Sequence, residues 1–240
     1  MHRCAILVPV SERIEPECER PLAELAKKGY VVRRMAGHSA IDVARSLMAS
    51  AALEEGFEEI FWIDSDIAFS VESFERVRSH GVPIACGIYP KKGQRELACH
   101  LAPGTKELKL GRHGGLVPIR YAATGFLYTH RAVYETIRDR LALPLCNTRF
   151  GAGFHPYFLP MILEEPDPVR GTHSWYLGED FAFCERARQA GFEILADTTV
   201  RLTHIGRYGY SWEDAGGERA RYADFRLVFD AKDPEAPPQR

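Results

Sequence analysis

The sequence predicts an α/β protein built on a mostly parallel sheet flanked by helices, and two observations carry that expectation. Apolar runs rich in β-branched and aromatic residues, CAILVPV at 4–10, YVVRRM at 30–35 and EEIFWID at 58–64, alternate with segments of helical period. Strand, helix, strand, helix, strand is the pattern of parallel pairing through helical crossovers. The third run then ends in two aspartates, Asp64 and Asp66, at the carboxyl end of a strand, where open α/β sheets bind their ligands.

Each element follows from local chemistry. After CAILVPV comes a polar, acidic segment whose PLAELAKKG (21–29) reads as the end of a helix stopped at Gly29. YVVRRM is a second strand. In SAIDVARSLMASAALEEGF, Ser39 and Asp42 form an S-x-x-D capping box, Val43, Leu47 and Ala51 recur every four residues, and Gly56 closes the helix. VESFERVRSHG (71–81) reads as a short helix and VPIACGIYP (82–90) as a strand. Between 91 and 120, glycines punctuate short alternating runs that suggest hairpins. YAATGFLYTH (121–130) is strand-like, with Gly125 where another backbone or a ligand approaches closely, and RAVYETIRDRL (131–141) is a helix. A long loop rich in proline and aromatic residues leads to GEDFAFCERARQAG (178–191), an amphipathic helix opened by acids and closed by Gly191. FEILADTTVRLTHIG (192–206) reads as a strand pair ending at a histidine. We expect one domain over 1–228 and a disordered tail over 229–240, where charge and proline replace apolar residues.

Composition narrows the function classes. With 240 residues, 45% hydrophobic and 27% charged residues and a formal net charge of -2, the chain is neither a disordered polymer nor a protein built to coat nucleic acid. Its six cysteines contain no C-x-x-C pair, so they read as reduced packing residues rather than a zinc knuckle or disulfide framework. The first apolar run is short and broken by Pro9, and the longest uncharged run, 150–163, falls short of a membrane span. A cytoplasmic location is expected.

Two carboxylates two residues apart on an extended backbone point to one side, and a hard divalent ion, Mg²⁺ or Mn²⁺, would take them as ligands while keeping positions for water or phosphate. The other reading of Asp64-Ser65-Asp66 is a turn whose aspartates cap backbone groups. A Gly-Glu-Asp at a helix start and His204 near the end of a later strand join the pair as candidate site residues.

Taken together, CAILVPV, ARSLMASAALEEG, FWIDSDIAF, PIACGIYP, TGFLYTHRAVYETI, GEDFAFCERARQAGF and LTHIG span about residues 4 to 206 and resemble the GT-A fold glycosyltransferases, in particular the family 2-like enzymes that use nucleotide sugars. The resemblance implies a Rossmann-like, mostly parallel central sheet, a UDP- or GDP-linked sugar donor, and a glycan, lipid-linked or small-molecule acceptor. It implies that Asp66 coordinates the metal, that Asp64 contacts the ribose or the metal through water with Ser65 beside the donor, and that His204 completes the metal shell. Imidazole there favours Mn²⁺ over Mg²⁺.

Glu179 and Asp180 match the family's E-D pair, with Asp180 the general base of an inverting transfer. The N–H groups and dipole of the helix start are expected to hold its pKa low. The resemblance also implies that Pro9 and Val10 shape the base pocket and that Arg45 reaches toward it or the diphosphate, with Arg13 a second candidate. The loop after the first strand, SERIEPECER, departs from the family's tyrosine-asparagine start. HIGRYGYSW (204–212), with Arg207, Tyr208, Tyr210 and Trp212, reads as a mobile lid, Trp175 as an acceptor platform, and KKGQR (91–95) as a contact for a phosphate-bearing acceptor. The competing readings are a D-x-D phosphohydrolase, a nucleotidyltransferase, a non-catalytic sugar-nucleotide-binding domain, and a retaining transferase on the same fold.

Overall fold

The computed structural model describes residues 3–94, 96–167, 171–206, 208–215 and 225–228. The chain runs β1 (Cys4–Val10), α1 (Pro16–Lys27), β2 (Val31–Ala36), α2 (Ile41–Glu54), β3 (Glu59–Ile63), β4 (Ile67–Ala68), α3 (Val71–Ser79), β5 (Ile84–Gly87), β6 (Cys99–Leu101), β7 (Glu107–Leu110), β8 (Leu116–Ala122) and β9 (Phe126–His130). It continues with α4 (Arg131–Arg140), β10 (Met161–Asp167), β11 (Gly171–Leu177), α5 (Glu179–Gln189), β12 (Ile194–Asp197), β13 (Thr203–Ile205), β14 (Gly209–Tyr210) and β15 (Phe225–Val228).

The eight-stranded central sheet has the order β2-β1-β3-β9-β5-β12-β8-β6. It is mixed. β1 runs parallel to β2 and β3, and β12 parallel to β5, while β9 and β8 are antiparallel to their neighbours. Because β9 is antiparallel to both β3 and β5, the carboxyl ends of β1, β3, β5 and β12 still share one edge. The site residues collect at that edge.

Alternation along the strands divides the interior into two cores. Ala5, Leu7, Ile60 and Trp62 face α2, α4 and α5 with Met48, Tyr134 and Phe183. Cys4, Ile6, Val8, Phe61 and Ile63 face α1 and α3 with Leu22, Leu25 and Phe74. A sheet buried on both faces explains why these strands read as continuous apolar runs rather than alternating ones.

Several expectations are corrected. Helix α2 begins after Ala40, with no side chain capping it, so the Ser39/Asp42 box does not form. β8 stops at Ala122 and β9 starts at Phe126, because Gly125 is drawn under the β3 turn and cannot continue a straight strand. The segment 192–206 is no strand pair: β12 lies in the central sheet, whereas β13 pairs with β4 and β14. The expected loop before α5 contains the hairpin β10–β11, in which Ile162 and Tyr176 lie opposite each other and both are exposed. The proposed tail, Arg95 and Arg207 lie outside the described residues. Among the described residues, no helix is long and apolar enough to cross a membrane.

Trp62 is the largest fully buried side chain in the strand that carries the site. Its indole N–H donates to the Tyr134 hydroxyl at 2.8 Å, and that hydroxyl shares a hydrogen bond with Thr129 Oγ1 at 2.9 Å. Tyr134→Phe would leave a buried indole N–H without an acceptor at unchanged shape. Urea unfolding should show a loss of about 1–3 kcal/mol with an unchanged m value; an unchanged midpoint would mean that the pair contributes nothing.

Candidate active site

β3 ends at Ile63, and the chain turns at once. The Ile67 N–H donates to the Asp64 carbonyl at 3.1 Å, while the Asp64 N–H donates to the Gly125 carbonyl at 3.0 Å. This turn corrects the expectation that Asp64 and Asp66 aim at one spot. The two carboxylates take different side-chain partners, so the turn forms but, among the described residues, neither carboxylate caps a backbone group as the turn alternative expected.

Asp64 keeps the side of the sheet on which Ile60 and Trp62 lie, and meets α2 there. Its Oδ1 accepts from Arg45 Nη2 at 2.7 Å. Arg45 is 3% exposed, lies over the Trp62 ring at 5.7 Å, and has its Nε 3.7 Å from Glu179 Oε1. One guanidinium thus links the strand-end turn to the start of α5. Burial works against its charge, but Asp64 and Glu179 outweigh burial and hold it firmly protonated. Arg45 Nε and Nη1 have no hydrogen-bond partner among the described residues. Arg45, expected to reach toward the base pocket or the diphosphate, is hydrogen-bonded to Asp64 and faces Glu179.

Asp180 stands on the first turn of α5, after the N-cap Gly178. Its Oδ1 accepts the Phe181 N–H at 2.7 Å, which is the helix-start contact predicted for it. The pKa moves against expectation. Burial, followed by the charge of Glu179, pushes the Asp180 carboxyl up to about 6, and the Phe181 N–H and Arg45 only partly offset this. Desolvation and a neighbouring acid defeat the helix terminus.

Asp66 belongs to a second group. Its Oδ2 is hydrogen-bonded by Lys92 Nζ, and its Oδ1 lies 3.5 Å from His204 Nε2. Burial pushes the Asp66 carboxyl up, yet His204 and Lys92 together hold it below its ordinary value. The His204 ring is oriented from behind: its Nδ1 lies 2.9 Å from the Pro90 carbonyl, which can only accept. Nδ1 therefore carries a proton; Nε2 faces Asp66 with an N–H when the ring is protonated and with a lone pair when it is neutral. A carboxylate and an imidazole lone pair 3.5 Å apart, with the far ring nitrogen tied to a carbonyl, suit two ligands of one divalent ion. They are two, not three. Among the described residues no group of three or more His, Cys, Asp or Glu side chains is arranged to hold a metal, so an ion here must complete its shell with phosphate and water.

Tyr89 joins the two groups. Its buried hydroxyl accepts the Gly125 N–H at 2.9 Å, and its ring meets the His204 ring edge-on at 5.3 Å. Tyr89 escaped the sequence reading, which reached Lys92 only as part of KKGQR. The charge cluster of KKGQR was the only signal for Lys92, and Tyr89 sits in an ordinary-looking strand end.

The other candidates are less central. Pro9 is buried and Val10 half-buried at the carboxyl end of β1. Ser65 is buried, and its carbonyl accepts the Glu15 N–H at 2.8 Å, closing the β1–α1 loop. Arg13 is spent on Glu15 at the surface, and Lys91 on Glu96. Trp175 is half-buried against Arg120 and His100. The end of the expected lid is no lid: Trp212 is fully buried and donates to the Ile88 carbonyl at 3.2 Å.

Gly125 is the tightest point of the site. A Cβ there would collide with the Tyr89 hydroxyl and lie 2.9 Å from Asp64 Oδ2. Gly125→Ala should displace the Asp64–Arg45 pair, with a stability loss of about 1–3 kcal/mol in urea unfolding; an unchanged midpoint would show that the turn gives way at no cost.

No protein-family model matches the chain, and no curated protein is similar to it in sequence. In three dimensions it is similar to the crystal structure of A197 from STIV, with a TM-score of 0.55 and 14% identity over 92% of this chain and 98% of that one. It is also similar to GalNAc-T7, solved with UDP, GalNAc and Mn²⁺, with a TM-score of 0.45 and 11% identity over 85% and 44% of the two chains. A third is the inositol-1-phosphate CTP transferase from T. maritima, with a TM-score of 0.38 and 12% identity over 85% and 89%. At these identities A197 shows a shared fold and no chemistry, and the other two, below 0.5, carry no argument.

Proposed function

We propose that the chain is a nucleotide-sugar-dependent glycosyltransferase of the GT-A type, moving a sugar from a UDP- or GDP-linked donor to an acceptor hydroxyl with inversion, and that Asp180 is the general base. The observation that carries this reading is a carboxyl raised to about 6 at a helix start, one residue from the Arg45-linked Glu179 and at the strand edge that also carries Asp66 and His204. An acceptor hydroxyl is a poor nucleophile. A carboxylate that titrates just below neutrality is charged at working pH and still basic enough to take the proton as the oxygen attacks.

The remaining roles follow from charge and place. A divalent ion held by Asp66 and His204, when bound, would stabilise the charge developing on the departing diphosphate as a Lewis acid. Arg45 fixes Asp64 through its hydrogen bond and faces Glu179 beside Asp180. Pro9 and Val10, at the end of the neighbouring strand, flank the nucleoside. The donor sugar is left to loops away from this cluster.

Titrating UDP and GDP by calorimetry, with and without Mn²⁺, into the wild type and Asp66→Ala tests the reading. Metal-dependent binding by the wild type that the variant loses is expected, and binding of neither nucleotide under any condition contradicts it. Asp180→Asn keeps the acceptor for the Phe181 N–H but removes the base. Turnover of a donor that binds should fall roughly 10²- to 10⁴-fold. The wild-type kcat/KM should rise with pH through about 6 and then level off, because the base must be ionised. The stability effect has the opposite sign. The folded-state pKa lies above the ordinary carboxylate value, so the charged form costs stability above about 6 and nothing below about 4. Asp180→Asn should therefore be at least as stable as the wild type at pH 7.5, and a clear loss of stability would mark Asp180 as a structural cap.

A further inference from the structure

We propose that Lys92 is a resident counter-ion of Asp66 that a divalent metal must displace, so that metal enters this site together with a nucleoside diphosphate, whose phosphates take over the released ammonium. The inference rests on the reading of the site given above and adds to it an order of binding and a residue that contacts phosphate.

The contacts place an ammonium where a metal would bind. Lys92 Nζ holds Asp66 Oδ2, and His204 Nε2 faces Oδ1. The segment that supplies the lysine also sets the imidazole, since the Pro90 carbonyl fixes His204 Nδ1 two residues earlier. That segment is clipped in place: Pro90 bridges to Leu97, and Lys91 pairs with Glu96 through both backbone and side chain. Lys91 is thus engaged elsewhere, and Lys92 alone of the two turns to the site. Its stem runs over Gly206, where a Cβ would come within 3.2 Å of Lys92 Cδ and 3.1 Å of Tyr210 Cε2. A side chain at 206 would push the lysine from its path to Asp66.

Electrostatics sets the consequence. Asp64 is paired with the buried Arg45 and Asp66 with Lys92, so each carboxylate of the turn already has a cation, and it is Asp66 that also faces an imidazole. Two protein ligands, one of them paired with an ammonium, make a poor site for a bare divalent ion. A diphosphate supplies further oxygen ligands and negative charge, so that metal and ammonium then both have partners. Lysine suits this exchange, because a point charge on a flexible four-carbon stem can swing from carboxylate to phosphate.

Free Mn²⁺ measured by electron paramagnetic resonance, with and without UDP and GDP, in the wild type, Lys92→Met and Lys92→Gln, tests this without any turnover. The wild type should bind Mn²⁺ weakly alone and at least tenfold more tightly with the nucleotide it prefers. Both variants should bind Mn²⁺ alone roughly tenfold more tightly than the wild type, gain little from nucleotide, and bind the nucleotide more weakly. If the nucleotide recruits Mn²⁺ to the wild type but the variants' affinity for Mn²⁺ alone is unchanged, Lys92 is no competitor, and the site reading stands without it. Nucleotide binding that needs Lys92 yet ignores Mn²⁺ would make the lysine a fixed substitute for metal, and would contradict the exchange. If no protein binds Mn²⁺ under any condition, the metal site itself is wrong and the proposal falls with it.

Discussion

The site depends on one buried cation. Arg45 belongs to α2, yet its guanidinium reaches the β3 turn at Asp64 and the start of α5 at Glu179. Three acids, Asp64, Glu179 and Asp180, act on it. A buried arginine without them would be strongly disfavoured, and the acids without it would repel one another. One positive charge cannot satisfy three negative ones. At Asp180, burial first and then the charge of Glu179 raise the carboxyl to about 6, and Arg45 only partly offsets them. The guanidinium that fixes Asp64 thus draws the Asp180 carboxyl down without bringing it back to the ordinary carboxylate value.

The second half of the site is built by a different logic. Asp66 is flanked by Lys92 and His204, and none of the three side chains is fully buried. Tyr89 connects the halves through the Gly125 N–H on one side and the His204 ring on the other. One aspartate of the motif is therefore structural in its surroundings and the other available. The spacing of D-x-D does not show this, because a turn that starts at Asp64 abolishes the period of two on which the expectation rests.

Much of the fold was legible because burial leaves a periodic trace. Runs such as CAILVPV and FWI announce strands covered on both faces, and Gly29, Gly56 and Gly191 adopt positive φ where they end helices. The hairpin β10–β11 left no such trace, since Ile162 and Tyr176 are exposed and acids break the alternation. The site was half legible. Asp64, Asp66, Asp180, Glu179 and His204 were marked by residue type and by position at element ends. Arg45 and, within KKGQR, Lys92 were singled out too, but their pairing with Asp64 and Asp66 was not legible, because three-dimensional charge balance sets it. The raised Asp180 carboxyl was missed for the same reason: a helix start is visible in sequence, but the burial and the charges that overrule it are not.

The central claim is that Asp66 and His204 receive a metal together with a nucleoside diphosphate at the strand edge. Crystals grown with UDP or GDP and Mn²⁺, with data collected at the manganese absorption edge, test it most directly. The account predicts one anomalous peak between Asp66 and His204, with Lys92 turned to a phosphate and Arg45 still on Asp64. A nucleotide bound at this edge with no anomalous peak, or a peak whose ligands include neither Asp66 nor His204, would contradict it.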